Sequence, residues 1–228
     1  MKYLFWDIDG TLLLTQRAGI DALKESVRIR YGKEDFEFSH SLAGRTDSFI
    51  IKSALTDIKG KCTAADAAGL LITYNKILPQ FLATHKGALL PNVNKTLEFL
   101  STKKDYCSAL LTGNCSRAAY EKVSYYGVQK YFNYQLSTFG EISEDRQVLA
   151  QAALQKIYVK NPEINSRDIF IIGDTPHDIL CANAINAKCL IVTAGSSYTE
   201  AQLNEFRPWK IISSLPDNPQ IFLNLLEE

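Results

Sequence analysis

The sequence lacks an excess of charge of either sign, and this absence limits its partners. Lysine plus arginine and aspartate plus glutamate each total 25, so the formal net charge is zero. A neutral chain has no broad electrostatic field that would attract nucleic acid or an anionic membrane. We therefore expect neither as a partner, and any affinity for an anion must arise from a local site.

Paired cysteines and long hydrophobic runs are also absent. The five cysteines are an odd number, lie far apart and include no Cys-x-x-Cys pair, so free thiols in a reducing compartment are the simplest interpretation. No stretch reaches the ~18 uncharged apolar residues that a membrane-spanning helix requires, and the apolar amino terminus stops at Asp7. These absences predict a cytoplasmic protein that does not cross a membrane.

The chain does have enough apolar material for a sizeable core, with 46% hydrophobic and 22% charged residues. Its 228 residues exceed one ordinary domain of about 100 to 150 residues without reaching two. Residues 15–85 place apolar side chains at helical spacing and contain no strand-like run. Because this block is too long for an ordinary connection between parallel strands, we interpret it as an inserted cap.

Beyond the cap, short apolar runs alternate with helical segments, which is the pattern of a parallel sheet flanked by helices. The runs predict strands at residues 107–111, 169–172, 189–192 and 210–212, and a further short strand at residues 134–137. We therefore predict a doubly wound, Rossmann-like α/β core. The core comprises residues 1–14 and 88–228, and an all-helical cap domain comprises residues 15–87.

Residues 3–6, Tyr-Leu-Phe-Trp, form an apolar run that ends abruptly at two aspartates, Asp7 and Asp9. Continuous apolar character is typical of a strand buried on both faces of a parallel sheet. Ligands of such sheets bind just beyond the carboxyl ends of the strands. Asp7 and Asp9 alternate onto one face of an extended chain, and Gly10 lets the chain turn away after them. Both carboxylates are therefore expected at a ligand crevice.

Two later strands also end in polar side chains. The segment Thr112-Gly113-Asn114 follows one of them, and Asp174 and Asp178 follow another. Parallel strands bring all three ends to one edge, where crowded carboxylates repel one another unless a cation lies between them. Mg²⁺ prefers hard oxygen ligands, usually with water and substrate phosphate completing its shell. The pattern therefore predicts Mg²⁺ at this edge.

The same edge has features for binding and attacking phosphate. Thr112 offers a hydroxyl donor, and the amides around Gly113 and Asn114 lead into a helix amino terminus, which favours an anion. A carboxylate beside a metal-neutralised phosphoryl group can attack phosphorus, and a second one can act as general acid and then base. Asp7 and Asp9 fit these two roles. The plainer alternative, helix capping by the aspartates and by Thr112, stays open.

Three segments resemble, in order and spacing, the motifs of the haloacid dehalogenase-like phosphohydrolases, and in particular the phosphoglycolate phosphatase and β-phosphoglucomutase-like subfamily. They are Asp-Ile-Asp-Gly-Thr at residues 7–11, Leu-Leu-Thr-Gly-Asn at residues 110–114, and Ile-Ile-Gly-Asp-Thr-Pro-His-Asp at residues 171–178. The helical block sits where that superfamily places its first type of cap. The resemblance implies the same fold, Mg²⁺ as cofactor and phosphoryl transfer as the chemistry.

The resemblance also implies roles for individual residues. Asp7 is the nucleophile, Asp9 is the general acid and base, and Thr112 is a phosphate ligand. The implied magnesium ligands are Asp7, Asp174 and the backbone carbonyl of Asp9. Asp178 is either a magnesium ligand through water or a partner of the basic residue of the site.

The family uses one basic residue, usually lysine, to steady the nucleophile and the transferred phosphoryl group. The candidates are Arg146, Lys156 and Lys160. We favour Arg146 because it lies where a loop enters a helix, close to where the subfamily places this residue, and arginine also binds phosphate well. In the cap, residues 42–47 resemble a substrate-facing segment of the subfamily, which makes Arg45 the candidate contact for a second anionic group. The alternative for either arginine is an ordinary surface side chain.

The sequence therefore predicts a Mg²⁺-dependent phosphoric monoester hydrolase that acts through a phosphoaspartyl intermediate. Its expected partner is a small phosphorylated metabolite, either phosphoglycolate-like or a sugar phosphate. By the resemblance, Asp9 disfavours dehalogenation, because the dehalogenases of the superfamily lack this second aspartate. A phosphomutase of the β-phosphoglucomutase type shares the core residues and is the first alternative. A catalytically silent binding or regulatory protein is the second, and it would be expected to have lost Asp7 or Asp9.

Overall fold

The structure, a computed structural model that describes all 228 residues, contains seven strands and nine α-helices. The strands are β1 (Lys2–Trp6), β2 (Leu13–Leu14), β3 (Ala88–Leu89), β4 (Tyr106–Leu110), β5 (Ile169–Gly173), β6 (Lys188–Val192) and β7 (Lys210–Ile212). The helices are α1 (Ala18–Tyr31), α2 (Asp47–Lys59), α3 (Ala64–Thr84), α4 (Val93–Ser101), α5 (Ser116–Tyr125), α6 (Arg146–Lys160), α7 (Pro176–Ala184), α8 (Glu200–Asn204) and α9 (Pro219–Glu227).

Five of the strands form one parallel sheet in the order β4-β1-β5-β6-β7. The central position of β1 is clear from its pairing, because Trp6 lies opposite Leu110 on one side and Ile172 on the other. The carboxyl ends of β1, β4 and β5 therefore meet at one edge of the sheet. The prediction of a doubly wound parallel α/β core is confirmed.

The side chains of β1 alternate between two hydrophobic cores, one on each face of the sheet. Tyr3 and Phe5 belong to a cluster with residues of α6 and α7. Leu4 and Trp6 belong to a cluster with residues of α4, α5 and α9. Helices cover both faces, which explains why all four residues of the run are apolar and buried. Each large apolar side chain buried in this way contributes about 1.5–3 kcal/mol to stability.

The prediction of a short strand at residues 134–137 is wrong, because residues 134–136 form a turn and Ser137 belongs to no strand. The side-chain oxygen of Asn133 accepts hydrogen bonds from the amides of Gln135 and Leu136 at 3.1 and 3.4 Å, and this arrangement bends the backbone locally. Pairing with the end of β4 is limited to a single bridge between Leu111 and Thr138.

The carboxyl-terminal helix α9 is a core element that the sequence patterns above do not predict. It begins after Asn218, whose side chain accepts a hydrogen bond from the amide of Gln220 at 3.0 Å. Phe222 and Leu226 are fully buried, and the ring of Phe222 stacks on Trp6 with 5.8 Å between the centroids. The helix therefore completes the core on one face of the sheet.

Helices α1, α2 and α3 form an insert, which lies between β2 and β3 in the chain and has a hydrophobic cluster of its own. β2 and β3 pair in antiparallel fashion, with Leu13 opposite Leu89 and Leu14 opposite Ala88. The chain therefore enters and leaves the insert at adjacent positions. The three helices fall within the predicted residues 15–87, and the role of this segment as a cap domain stays a prediction.

Two further observations concern the cysteines and the helices. All five cysteine thiols are unpaired, and those of Cys115, Cys181 and Cys189 are buried. None of the nine helices combines the length and the apolar character that crossing a membrane requires.

Candidate active site

A cavity of about 420 Å³ lies between the carboxyl edge of the sheet and the insert. It contains almost every site residue that the sequence predicts, with Asp178 just behind its wall. The core residues that line it include Asp7, Asp9, Thr112, Gly113, Asn114, Lys122, Arg146 and Asp174, and the insert residues include Ile20, Leu23, Leu42, Arg45, Asp47, Ile50 and Tyr74.

Three buried carboxyl groups form a compact acidic cluster at the end of β1 and β5. Asp7, Asp174 and Asp178 each contribute one oxygen, and these oxygens lie within 4.8 Å of one another. Burial raises the pKa of Asp7 to about 6, with Arg146 opposing the shift and Asp178 reinforcing it. Burial and the two neighbouring carboxylates raise the pKa of Asp174 well above its ordinary value. Ionisation of all three carboxyl groups at once is therefore unfavourable without a further positive charge.

Arg146 is the basic side chain in contact with this cluster. Its Nη1 donates to Oδ2 of Asp7 at 3.2 Å and to the carbonyl of Gly44 at 3.2 Å, and its Nη2 donates to Oδ1 of Asp178 at 2.6 Å. Asp145 caps the start of α6 by accepting from the amide of Gln147 at 2.9 Å, which places Arg146 in the first turn facing inward. Only 4% of Arg146 is exposed, so it is not an ordinary surface residue.

The two other basic candidates lie elsewhere. Lys156 donates to the backbone carbonyl of Ser137, and Lys160 donates to the side chain of Gln135 at 3.1 Å. Neither lysine lines the cavity. The structure thus brings Arg146, alone of the three candidates, to the acidic cluster.

Asp178 contacts protein donors through both of its carboxyl oxygens. Oδ1 accepts from Arg146, while Oδ2 accepts from the amides of Asp174 and Thr175 at 3.2 and 3.0 Å and from the hydroxyl of Thr175 at 2.8 Å. The capping role considered as the plainer alternative is therefore present for this residue at the start of α7. The same carboxylate also orients Arg146 toward Asp7.

The turn after β1 brings the backbone unusually close to Asp174. Gly10 has φ +84°, and a Cβ built on it would lie 2.3 Å from Oδ2 of Asp174. A side chain is therefore excluded both by the backbone conformation and by the neighbouring carboxylate. Thr11, one residue later, donates its hydroxyl to Oδ1 of Asp174 at 3.1 Å. The Gly-Thr pair fixes the distance between the first and third motifs.

Asp9 is in a different environment from Asp7, although only one residue separates them. Its side chain is 43% exposed and is not part of the acidic cluster. Nζ of Lys122 donates to both of its carboxyl oxygens, at 2.8 and 2.6 Å, and Nδ2 of Asn114 donates to Oδ2 at 2.8 Å. The two aspartates therefore have separate partners, and the carboxylate of Asp9 faces the cavity.

The loop after β4 leads directly into α5 and forms part of the cavity wall. Thr112 is fully buried, and its hydroxyl oxygen accepts from the amide and from Nδ2 of Asn114 at 3.3 and 2.9 Å. Gly113 lies against the insert, since a Cβ there would be 2.2 Å from the carbonyl oxygen of Arg45. The loop therefore connects the core to the insert as well as bordering the cavity.

Asp47 joins the insert to this loop at the beginning of α2. Its amide donates to the carbonyl of Gly113 at 2.7 Å, and its carboxylate accepts from the amide of Cys115 at 2.7 Å. Ser48 adds a hydrogen bond to the carbonyl of Gly140 at 2.6 Å. Arg45, which precedes them, is exposed at the cavity wall, and its guanidinium lies 4.6 Å from the ring centroid of Phe49.

Lys122 and Asp47 are site residues that the sequence interpretation missed. Lys122 did leave a signal, because it occupies the helical stripe that also contains the buried residues Ala118, Ala119 and Val123. A lysine on the apolar face of a helix needs a partner, since lysine is almost never fully buried alone. Asp47 belongs to the segment 42–47 that the resemblance singled out, but its contact with the loop after β4 was not predicted.

The acidic cluster fits a divalent metal ion of the hard type. Its donors are all carboxylate oxygens, and three potential negative charges face the single positive charge of Arg146. The raised pKa values of Asp7 and Asp174 have the same origin, namely buried charge without sufficient compensation. A cation coordinated by oxygen would relieve this repulsion, as Mg²⁺ does in sites formed by carboxylates.

A cluster of carboxyl groups thus lies at the carboxyl edge of a doubly wound sheet and faces a cavity covered by helices, which is the place where α/β enzymes bind their ligands. The chain belongs to the haloacid dehalogenase-like hydrolases, because the model of that family, described as "Haloacid dehalogenase-like hydrolase", matches residues 4–192. The matched region contains all three motifs and the insert. The predicted family and the prediction of a hydrolytic enzyme are confirmed.

Solved structures with the same fold cover nearly the whole chain. CbbY from Rhodobacter sphaeroides, in complex with phosphate, is 14% identical with a TM-score of 0.73, over 95% of this chain and 96% of that one. A predicted phosphoglycolate phosphatase from Haemophilus somnus is 15% identical with a TM-score of 0.69, over 99% and 97%. A predicted phosphatase from Clostridium acetobutylicum is 17% identical with a TM-score of 0.67, over 98% of each chain. No curated protein matches the chain.

Proposed function

We propose that the protein is a Mg²⁺-dependent phosphatase that hydrolyses a small phosphomonoester through a phosphoaspartyl intermediate on Asp7. The observation that carries this proposal is that two neighbouring carboxyl groups lie in different environments. Asp7 lies buried in the acidic cluster beside Arg146, whereas Asp9 is partly exposed, faces the cavity and has partners of its own. A nucleophile and a proton-transfer group need such different environments.

In the proposed first step, a carboxyl oxygen of Asp7 attacks phosphorus and the bond to the leaving alcohol breaks. Asp9 gives a proton to the departing oxygen. In the second step, Asp9 takes a proton from a water molecule, which attacks the phosphoaspartate and releases inorganic phosphate. Asp7 and Asp9 thereby return to their starting protonation states.

Charge on the transferred phosphoryl group would be held by donors from the start of α6 and from the loop after β4. Arg146 donates to Asp7 through Nη1, so its guanidinium lies beside the proposed nucleophile. Thr112 and the amides around Gly113 also border the cavity. Donors fixed in advance by the fold are effective because they need no reorganisation during the reaction.

Mg²⁺ would be held by Asp7, Asp174 and the backbone carbonyl of Asp9. When bound, it supplies positive charge that neutralises phosphoryl oxygens and lets a carboxylate approach phosphorus. Asp178 is assigned the role of orienting Arg146 and the loop before α7, because both of its oxygens already accept hydrogen bonds.

The insert is proposed to act as a cap that excludes water and selects the leaving group. Its apolar residues Ile20, Leu23 and Ile50 line the cavity together with Arg45. A cavity of about 420 Å³ suits a small metabolite. Arg45 is the proposed contact for a second anionic group, as a phosphoglycolate-like or sugar phosphate substrate would present. The named phosphatases among the structures of this fold support the same reaction class.

The decisive experiment is phosphate release from a panel of phosphomonoesters with and without Mg²⁺. We expect turnover by the wild type, loss of turnover in Asp7→Asn, and normal turnover in Asp217→Asn, a matched change at an exposed aspartate outside the site. Conversion of glucose 1-phosphate to glucose 6-phosphate without phosphate release would show that the protein is a phosphomutase and not a phosphatase. Failure of every substrate would favour a silent binding protein.

A further inference from the structure

Lys122 is a buried lysine that reaches the cavity from α5, with only 4% of the residue exposed. Its ammonium group has three acceptors: the two carboxyl oxygens of Asp9 at 2.8 and 2.6 Å, and Oδ1 of Asn114 at 2.6 Å. Three acceptors match the three donors of an ammonium group. Every N–H donor of the ammonium group therefore has an acceptor, as a charged group removed from water requires.

The position of the ammonium is fixed from both the core and the insert. On the core side, Lys122 stands on α5 between the buried residues Ala119 and Val123. On the insert side, α1 passes close by at Gly19, where a Cβ would lie 3.4 Å from Nζ of Lys122 and 3.5 Å from the hydroxyl of Tyr74. Lysine is normally a flexible side chain, but here the surroundings leave it one position.

The acceptors of Lys122 hold Asp9 in turn. Nδ2 of Asn114 donates to Oδ2 of Asp9 and to the hydroxyl of Thr112, so a continuous set of hydrogen bonds runs from the loop after β4 to Asp9. The carboxylate of Asp9 is 43% exposed and would otherwise be free to change rotamer. Its observed position keeps its negative charge out of the acidic cluster of Asp7, Asp174 and Asp178, where a further negative charge is unfavourable.

We propose that Lys122 is a positioning residue for the reaction, which holds the carboxylate of Asp9 at the leaving-group side of the cavity and apart from the acidic cluster. This inference rests on the proposed function, in which Asp9 transfers the protons. Lys122 acts through Asp9 and touches neither the phosphoryl group nor the metal. Its effect on turnover should therefore disappear when Asp9 can no longer transfer a proton.

The test compares Lys122→Met with the wild type, with Lys122→Arg, and with Lys130→Met as a matched change at an exposed lysine. For an alkyl phosphate, whose leaving group needs a proton, we expect Lys122→Met to lower kcat by about 10- to 100-fold with little change in KM. For p-nitrophenyl phosphate, whose leaving group needs no proton, the loss in kcat/KM should be smaller, because kcat/KM reports the steps up to phosphorylation of Asp7, whereas the second step uses Asp9 with either substrate. Lys122→Arg should restore part of the activity, and Lys130→Met should equal the wild type.

A double-mutant cycle separates positioning from a general structural effect. In the Asp9→Asn background, assayed with p-nitrophenyl phosphate, Lys122→Met should change kcat by less than about twofold, because residues that act as a unit are not additive. Equal losses in the two backgrounds, or a change confined to KM, would overturn the proposal. The melting temperature of each variant shows that the comparison is made between folded proteins.

A crystal structure of Lys122→Met provides a readout that does not depend on turnover. We expect the Asp9 side chain to leave the position that it has beside Asn114. An Asp9 carboxylate that stays in place without the lysine would refute the positioning role, whatever the activity. If the wild type released no phosphate from any ester, the proposed function would fail, while the Asp9 conformation would still decide the role of Lys122.

Discussion

The amide of Asp47 donates to the carbonyl of Gly113 at 2.7 Å, which ties the first residue of α2 in the insert to the loop that is proposed to bind phosphate. The carboxylate of Asp47 completes the connection by capping the amide of Cys115 at 2.7 Å. Docking of the insert and the arrangement of the phosphate loop are thus coupled through Asp47. In the structure, the insert is docked on the core.

Replacement of Asp47 by alanine should weaken this connection without removing any proposed catalytic group. The amide of Cys115 loses its acceptor, a change of about 1 kcal/mol for a helix cap, so kcat/KM should fall by roughly fivefold. Steady-state kinetics on the best phosphoester of the panel measure the effect. Asp35→Ala, at an exposed position of the insert, is the control. Equal kinetics for the two variants would contradict the coupling.

Loss of Arg146 should destabilise the protein strongly in the absence of metal. Arg146→Met leaves Asp7 and Asp178 buried without their cation, and breaking a buried ion pair in this way costs about 3–5 kcal/mol. Urea unfolding in the presence of EDTA measures the free energy of unfolding. Arg117→Met removes an exposed ion pair with Glu121 and should cost no more than about 1 kcal/mol. Similar losses in both variants would show that Arg146 does not hold the cluster together.

Stabilisation by Mg²⁺ should depend on pH in a defined direction. The pKa of Asp7 is raised to about 6 in the folded protein. The stability that this shift contributes is therefore fully present below the ordinary aspartate pKa and is lost as the pH rises through about 6. The raised pKa of Asp174 acts in the same direction. Metal binding needs the ionised carboxylates, so Mg²⁺ should raise the melting temperature much more at about pH 8 than at about pH 5.

Thermal melts with Mg²⁺ and with EDTA at the two pH values provide the measurement. Asp174→Asn should lose most of the increase at the higher pH, because one of the proposed metal ligands is gone. An increase of the same size at both pH values would mean that Mg²⁺ binds elsewhere.

The core formed by α9 can be tested separately from the chemistry. Phe222 is fully buried against Trp6, so Phe222→Ala should lower the free energy of unfolding by about 3–5 kcal/mol. The neighbouring Ile221 is 57% exposed, and Ile221→Ala should have a small effect in the same urea titration. Turnover well below the melting temperature should be unchanged in both variants. A small loss for Phe222→Ala would mean that α9 is not part of the cooperative core.

Much of the fold and the meeting of three motifs could be predicted, because both follow from simple rules. An apolar run that is buried on both faces indicates a parallel strand, and parallel strands necessarily bring their ends to one edge. Asp7 and Asp174 each follow such a run directly, and Thr112 follows the buried pair Leu110 and Leu111 at the end of the edge strand β4. The proximity of Asp7, Thr112 and Asp174 therefore follows from the sheet topology, and it can be predicted without knowing how individual side chains pack.

Lys122 depends on packing and was therefore missed. It is separated from Asp9 by 113 residues, and the contact depends on how α5 packs beside the end of β1. The strand predicted at residues 134–137 was wrong for a local reason. The side chain of Asn133 accepts hydrogen bonds from backbone amides in a turn, and these hydrogen bonds compete with strand pairing. Helix α9 has the start signals Asn218 and Pro219, but a segment of nine residues does not reveal from sequence alone which face it buries. The stacking of Phe222 on Trp6 shows that face.

The pairing of Leu14 with Ala88 brings the two ends of the insert close together, which is the condition under which a segment can be exchanged. Opposite residues of an antiparallel pair lie only about 4.5–5.5 Å apart, so the two points where the insert joins the core are separated by no more than the width of a hairpin. A two-residue turn is enough to close such a ribbon. The insert can therefore be lengthened, shortened or replaced in evolution, or in the laboratory, without any change in strand order. Changes in the insert therefore leave the strands that hold the acidic cluster intact, provided that the contacts of Asp47 with the loop after β4 are kept.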